Sequence, residues 1–537
     1  MPTTTTQELP LPDRLARVRN TGVGAVLVAS GILVSRIFGL VRQRVFAHYL
    51  GNSDAADAFA FAFRVPNVLQ NLLGEGVLSA SFVPVYAGLL ARGDEEGASK
   101  VAGAVVSLVS LVMAVVVLLG VLAAPWLVAV LAPGFGPEKQ ALATTLVRIL
   151  FPGAAVLALS AWAIGVLNSH GRFLWSYLAP VAWNAAMILA LLTWGGRVSE
   201  ARLVTVVAIA SVAGSVLQVA VQLPGVLAVG RGMRLTLSTA IPGVQTVLRS
   251  FGPVVTGRGV VQLSGWLDAV LASLVAPGAV AALGYAQLLY MLPVSLFGMS
   301  VSAAELPAMS SEFGAADTVA AALRARLTSG LRRVAFFVVP SAAAFLALGD
   351  HIAALVYQGG RFTTADATWV WMILAGSSIG LLAGTMGRLY ASAWYALKDT
   401  ARPMRFAMVR VALTLGLGLV LAFPVRAALG LDARWGVAGL TAGAGLAAIV
   451  EFSLLRASIA ARIGAVGLPA TLVAQLWGAA AAGAGLAWLV AAATPASPLL
   501  VRSLLVLGVF GAVYLLGTAA FAVPEARGLL NRVRRRR

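Results

Sequence analysis

Apolar runs long enough to cross a bilayer recur along almost the whole chain, and that property leaves few folds open. Residues 101–131 and 499–523 are two of these runs. A spanning helix needs about 20 mostly apolar residues. The runs are continuously apolar and do not alternate with polar residues, so they read as helices and not as barrel strands. Of 537 residues, 60% are hydrophobic and only 11% charged, too little charge to cover a water-facing surface of this size. The expected fold class is an all-α integral membrane protein.

Division at charged and Pro- or Gly-rich breaks gives fourteen spans, beginning near Thr21, Ala55, Ala98, Lys139, Ser176, Arg202, Thr246, Gly278, Arg332, Asp366, Met404, Trp435, Pro469 and Pro498. Residues 315–333 differ in kind. There Arg324, Arg326, Arg332 and Arg333 alternate with Ala, Val and Leu, the pattern of a short interfacial amphipathic segment. Residues 1–20 are polar, with Arg14, Arg17 and Arg19, and no small-residue cleavage site closes a short apolar core. The first run therefore reads as an uncleaved span.

The net charge of +19 would suit nucleic acid, but no basic stripe with interleaved aromatics is present. The cations sit in short loops instead. On one side are Arg92, Lys100, Arg172, Arg231, Arg234, Arg324 to Arg333, Lys398, Arg402, Arg456, Arg462 and Arg534 to Arg537; on the other, only Lys139, Arg197, Arg361, Arg426 and Arg434. That asymmetry places both termini in the cytoplasm. The absence of cysteine excludes disulfides and thiolate sites, and His48, His170 and His351 are scattered. Neither a metal nor a cofactor is expected.

Two short patterns occur twice. Ser79-Ala-Ser-Phe-Val-Pro84 returns as Ser302-Ala-Ala-Glu-Leu-Pro307, and Ser160-Ala-Trp162 as Ser392-Ala-Trp394, at offsets of 223 and 232 residues. An even number of spans separates the copies, so they would share one orientation about an axis along the membrane normal.

The densest polar residues within apolar sequence are Ser35, Arg36 and Arg42, then Asp57, then Arg64, Asn67, Gln70 and Asn71, then Glu75. An ionised group near the bilayer centre costs about 2.5–3.5 kcal/mol on insertion scales and faces a wet cavity or a partner. On one helix Arg64, Asn67, Asn71 and Glu75 would share a face. Arg36 and Arg42 would not, unless Gly39 permits a bend. Arg44 is equally well read as snorkelling to headgroups. Arginine suits phosphate because its planar fork donates two parallel hydrogen bonds and keeps its charge. Asp57 and Glu75 could partner these arginines or carry a cation. In the second repeat Arg258, Gln262, Asp268 and Gln287 fall in comparable places.

Ser35-Arg-x-x-Gly-x-x-Arg42, Ala56-Asp-Ala-Phe59, Phe63-Arg-x-Pro-Asn67 and Glu75-Gly-x-x-Ser-x-x-Phe-Val-Pro-Val85, in this order, closely resemble the MurJ (MviN) lipid II flippases of the multidrug/oligosaccharidyl-lipid/polysaccharide exporter superfamily. Further matches are Leu167-Asn-Ser-x-Gly-Arg-Phe173 with Pro180 and Asn184, Gly360-Arg-Phe-Thr363, and Tyr395-Ala-Leu-Lys-Asp-Thr400 with Pro403. The resemblance runs over about 23–455. It implies two six-helix lobes, 21–232 and 246–462, alternating in access, a helix pair over 469–523 forming a groove for a polyprenyl tail, and a basic cytoplasmic tail, 524–537. It implies an inner-membrane location and lipid II as substrate, with membrane lipids and the cell-wall machinery as partners, no nucleic acid, and a monomer. Arg36 and Arg42 match pyrophosphate-binding arginines, and Asp57, Asn67 and Glu75 match polar cavity residues.

Two departures stand out: Gln70 and Leu288 occupy positions where the family usually has arginine. Arg64 and Arg258 are candidates to replace that charge. Asp268 matches an acidic cation-site residue of some relatives, but residues 406–423 offer Thr414 and no carboxylate, which speaks against a sodium site. A flippase for another undecaprenyl-linked glycan is the competing function. A drug antiporter would need acidic and aromatic cavities. A membrane enzyme would need paired carboxylates, and the one acidic cluster, Asp94-Glu95-Glu96, reads as a solvated turn.

Overall fold

A computed structural model describes residues 22–230, 232–310 and 316–534. Among them the secondary structure is helical apart from a single β-bridge between Gly359 and Phe362. The helices are α1 (Gly22–Leu50), α2 (Asp54–Leu73), α3 (Glu75–Ala91), α4 (Glu95–Leu131), α5 (Pro137–Ser169), α6 (Phe173–Trp194), α7 (Glu200–Val229) and α8 (Pro242–Val275). There follow α9 (Ala279–Pro293), a π-helical turn (Val294–Met299), α10 (Ser300–Ser310), α11 (Ala316–Tyr357), α12 (Thr364–Ser378), α13 (Leu381–Ala396) and α14 (Ala401–Val420). The chain ends in α15 (Trp435–Ile463), α16 (Ala470–Ala493), α17 (Leu499–Ala520) and α18 (Pro524–Arg534).

Eleven helices among the described residues are long and apolar enough to cross a membrane, or twelve if the bent pair α12–α13 counts as one span. Their surfaces identify the solvent. The most apolar stretch of α4 has a mean hydropathy of 3.0, yet only 22% of it is buried; Leu118, Leu119, Leu122 and Trp126 are all exposed. Water would not tolerate so much continuous apolar surface, and lipid does. By contrast 67% of the equivalent stretch of α5 is buried, marking α5 as a central helix.

The chain packs as two units. The first runs to Phe46 and resumes over Phe61–Ala129 and Pro137–Leu263. Its core joins Leu78, Phe82 and Tyr86 of α3 to Val101 and Val105 of α4 and to Trp162, Val166 and Leu167 of α5. The second contains Ala47–Ala60, Val130–Gly136 and everything from Ser264 onward. The C-terminal pair α16–α17 belongs to it, packed on α11 through Leu476, Ala480, Phe510 and Tyr514. Tyr514 Oη donates to the Phe336 carbonyl and Trp488 Nε1 to the Ala347 carbonyl (2.6 and 2.9 Å).

The amphipathic segment expected over 315–333 is no separate element. It forms the first turns of the 42-residue α11, whose helical geometry lapses only at Leu348. The reason lies in its partners. Leu323, Leu327 and Leu331 are buried, while Arg324 donates to the Ile463 carbonyl at the end of α15 (2.7 Å). Arg326 and Arg333 both reach Glu305 of α10 (3.8 and 3.7 Å), and Arg332 reaches Glu525 of α18 (3.3 Å). The arginines thus hold helix ends of the protein, where headgroups were the sequence expectation. The two copies of the Ser…Pro pattern lie on α3 and α10, and each of those helices follows an interruption, at Gly74 and at the π-helical turn.

Small residues let α15 sit at the centre of the second unit. A Cβ on Gly443 would lie 2.6 Å from the Gly418 nitrogen of α14, and one on Gly445 2.8 Å from the Gly380 nitrogen at the α12–α13 bend. Backbones in lipid associate by such close approach. Gly443→Ala is therefore expected to cost about 1–3 kcal/mol through overpacking, seen as a lower melting temperature in detergent. Gly416→Ala, where an added Cβ meets nothing within 4 Å, should be neutral or stabilising by up to about 1 kcal/mol.

Candidate functional site

The residues expected to bind substrate divide between the two units. In the first unit α1 runs without a break from Gly22 to Leu50, through Gly39, where an added Cβ would meet nothing within 4 Å. Arg36 is exposed and Ser35 half-buried. Arg42 is half-buried beside two aromatic rings: its guanidinium carbon lies 5.3 Å from the Phe63 centroid and 5.5 Å from that of Trp183. Those rings stack on each other, 5.7 Å apart and within 11° of parallel. Trp183 Nε1 donates to the Ser211 carbonyl of α7 (3.0 Å), which fixes the indole plane. A cation held against aromatic faces is attracted without being neutralised, so Arg42 is positioned while its charge stays available.

On α2, Arg64, Asn67 and Gln70 are half-buried and Asn71 is exposed. Of the face expected across Arg64, Asn67, Asn71 and Glu75, the first three residues lie on α2, and a backbone break at Gly74 precedes Glu75. The helix stops at Leu73, the Gly74 N–H returns to the Gln70 carbonyl (2.9 Å), and Glu75 opens α3. The side chains of Glu75, Arg258 and Gln262 lie outside the described residues.

Asp57 has a different place. It is buried, and its two oxygens accept from the Gly278 and Ala281 amides at the start of α9 (2.6 and 2.8 Å). A carboxylate at a helix N-terminus satisfies otherwise orphaned amides and meets the positive end of the helix dipole. The same tip is tied down further: Tyr285 Oη donates to the Gly51 carbonyl (2.8 Å), Asn52 to Asp366 (3.0 Å), and the Arg361 amide to the His48 carbonyl (2.8 Å). Gly278 and Gly360 have positive φ, 83° and 57°, and a Cβ on either would strike the backbone of this tip at 2.4 or 2.3 Å. Glycine is required at both.

In the second unit a cavity of about 130 Å³ gathers Asp268, Gln287 and Tyr290 with Ser377, Thr441 and Arg410. Arg410 of α14 pairs with Glu451 of α15 (Nη1–Oε2, 3.0 Å). Asp268 thus shares its cavity with a built-in cation. Among the described residues no group of three or more His, Cys, Asp or Glu could hold a metal. Leu288, at a position of expected arginine, is half-buried on α9 next to Gln287.

Several motif residues prove to be structural. Asp399 accepts from the Ala401 and Arg402 amides (both 3.1 Å) at the start of α14, and Asn184 donates to the Pro180 carbonyl (2.8 Å). His170 Nε2 meets Tyr86 Oη at 2.9 Å. Burial, and secondarily the charge of Arg172, lowers the His170 pKa despite Glu95. The linear pattern offered a signal for Arg410 and Glu451, each a charge inside an apolar run. It offered none for Trp183 as the partner of Arg42.

A family model described as "Lipid II flippase MurJ" matches residues 46–510. The chain belongs to the MurJ family. The lipid II flippase MurJ of Burkholderia cenocepacia is 32% identical over 391 residues, covering 72% of this chain and 75% of that protein. A probable lipid II flippase MurJ of Rhizobium tropici is 32% identical over 428 residues, 77% and 78% of the two chains. Among solved structures, a MurJ flippase in an inward closed conformation superposes with a TM-score of 0.76 at 22% identity, over 94% of this chain and all of that one. An inward-facing multidrug MATE transporter follows at 0.62 and 18%, over 81% and 98%. The family match begins at Phe46, so Arg36 and Arg42 of this MurJ member lie before it.

Two measurements test these assignments. Asp57→Ala should lower stability by about 1–3 kcal/mol by leaving buried amides without an acceptor, and Asp57→Asn by less; equal melting temperatures for all three proteins would exclude the cap. A lowered His170 pKa means the unfolded chain binds the extra proton first. The stability it contributes is full above the unfolded value near about 6.5. That contribution is lost as pH falls through it towards the folded value. His170→Gln should remove that part of the pH slope of thermal unfolding.

Proposed function

We propose that this MurJ family member is a lipid II flippase, moving the undecaprenyl-pyrophosphate-linked peptidoglycan precursor between leaflets of the bacterial inner membrane by alternating access. It is a transporter, with no bond made or broken. The observation that carries the binding step is Arg42: a cation in an apolar helix, held in place by Phe63 and Trp183 and, among the described residues, in no ion pair. A guanidinium fixed in this way can donate two parallel hydrogen bonds to a pyrophosphate oxygen pair. Ser35, Arg36, Arg64, Asn67, Gln70, Glu75, Arg258, Gln262 and Gln287 are the further headgroup-binding residues of this reading. Gly39 supplies flexibility to α1.

In this reading α1 and α8 are spans too, making fourteen, with both termini cytoplasmic and the chain monomeric. The polyprenyl tail has a natural seat in a largely apolar groove of about 370 Å³ lined by Leu382, Met386, Ile449, Phe452 and Trp477, with Arg456 at its edge. An unpaired cation carried across an inside-negative membrane feels about 2.3 kcal/mol per 100 mV, enough to bias the return of an empty carrier.

In a strain depleted of its own flippase, the wild-type chain should restore lipid II exposure at the outer leaflet. Arg42→Ala should reduce it at least about tenfold, the scale of a lost charged hydrogen bond, while leaving the melting temperature nearly unchanged. Gly39→Ala, which meets no neighbour, should slow translocation without weakening binding. A well-expressed wild-type chain that fails to expose lipid II but restores export of another undecaprenyl-linked glycan would replace the substrate in this reading.

A further inference from the structure

The apolar groove with Arg456 at its edge has a neighbour in the same unit. A second groove, of about 320 Å³, is lined by Met372 of α12, by Leu421 and Val425 of a π-helical turn (Leu421–Val425), by Arg426, and by Trp435 of α15. Leu346 and Ile379 line both grooves. Both side chains are exposed, so the grooves meet at an open apolar junction. On α15 the pair of grooves extends from Trp435 to Arg456, a stretch of about 30 Å at 1.5 Å per residue. The hydrocarbon core of a bilayer is about 30 Å thick.

Each groove carries one arginine. Arg456 is exposed, with its guanidinium over Gly467, where an added Cβ would lie 3.0 Å from Nη2. Tyr390, in the same groove, fixes that backbone by donating its hydroxyl to the Val466 carbonyl (3.2 Å). Arg426 is half-buried and donates Nε to the Ala422 carbonyl (3.2 Å) and Nη1 to the Leu431 carbonyl (3.1 Å), which leaves Nη2 to spare. Among the described residues neither arginine is in an ion pair. Between the two the walls are apolar or aromatic, with Ser378 the exception.

We propose that the two grooves form one membrane-spanning track for the polyprenyl chain of the substrate, with Arg456 taking its phosphate at the cytoplasmic end and Arg426 at the outer end. The proposal rests on the flippase reading for the identity of the lipid and for the two sides. Length and shape select this occupant. A phospholipid brings two chains of one leaflet's depth and would fill half of such a track, whereas a polyprenyl lipid brings a single chain longer than a leaflet is deep. Charge selects its ends, since a guanidinium without a carboxylate complements a phosphate. A chain lying in a track through both leaflets stays on the protein while its headgroup changes sides.

The two ends give a crossed test. The full chain in phosphatidylcholine nanodiscs is irradiated with undecaprenyl pyrophosphate carrying a diazirine at the far end of its chain, and the labelled peptides are mapped. A headgroup at Arg456 sends the label into the outer groove, and one at Arg426 sends it into the cytoplasmic groove. Arg456→Gln should therefore reduce labelling of residues 421–435 about tenfold and spare that of residues 382–390, and Arg426→Gln should do the reverse. The label that each variant keeps guards against loss of folding. Ile379→Trp, which fills the junction, should reduce both. Equal effects of the two arginine variants on both labels, or labelling of residues 421–435 that survives Arg456→Gln, would overturn the track. Labelling abolished by equimolar phosphatidylglycerol would overturn the occupant and give the grooves to phospholipid. A wild-type chain that exposes lipid II without the crossed pattern would lose the track and keep the flippase reading. Crossed labelling in a chain that exposes no lipid II would keep the track and overturn that reading.

Discussion

A charge placed in an apolar helix must find a partner inside the protein, because lipid offers none. Three charged residues of this molecule show how differently that demand can be met. Asp57 meets it with backbone amides at the head of α9, 2.6 and 2.8 Å away. Arg410 meets it with the Glu451 carboxylate. Arg42 meets it with the faces of Phe63 and Trp183. These solutions are not equivalent. Amides and a carboxylate consume the charge locally, whereas aromatic faces leave a guanidinium able to donate its full fork. The chemistry of each residue is thus set by its partner as much as by its own side chain.

Partners at these distances require backbones that come close, and the sequence provides for this with glycine. Gly278 and Gly360 admit the α1–α2 tip at contact distance, and Gly443 and Gly445 bring α15 against α14 and the α12–α13 bend. The bend matters for the cavity as well. Gly380 lies at the break in a pair of helices turned by 44° and borders the space that Arg410 and Asp268 share. Larger residues at these crossings would push the helices apart and dissolve the cavity walls before they altered any polar group.

The helices were legible in the sequence because hydropathy is a local property: most expected span starts fall within a few residues of the observed ones, Trp435 included. Legibility failed where a neighbour far along the chain decided the outcome. The arginines of 324–333 look interfacial by themselves, and only Glu305, Ile463 and Glu525 explain why they lie on the part of α11 before its kink at Leu348. Asp57 looks like a cavity acid, and its role depends on amides 221 and 224 residues away. The polar residues of α2 were legible, but the break after Leu73 was not, since it lies in the backbone of Gly74, whose φ and ψ are −105° and −123°.

The two family positions without arginine gain a physical meaning from this. A cationic surface for pyrophosphate needs a sum of charge and a geometry, not a particular helix to carry it. Gln70 and Leu288 stand where the family usually has arginine, and on α14 Arg410 lines the cavity that Gln287 and Tyr290 of α9 share, with the Glu451 carboxylate to hold it. An arginine on α9 would be a fixed charge. An arginine paired with Glu451 is a charge whose availability depends on what competes for it.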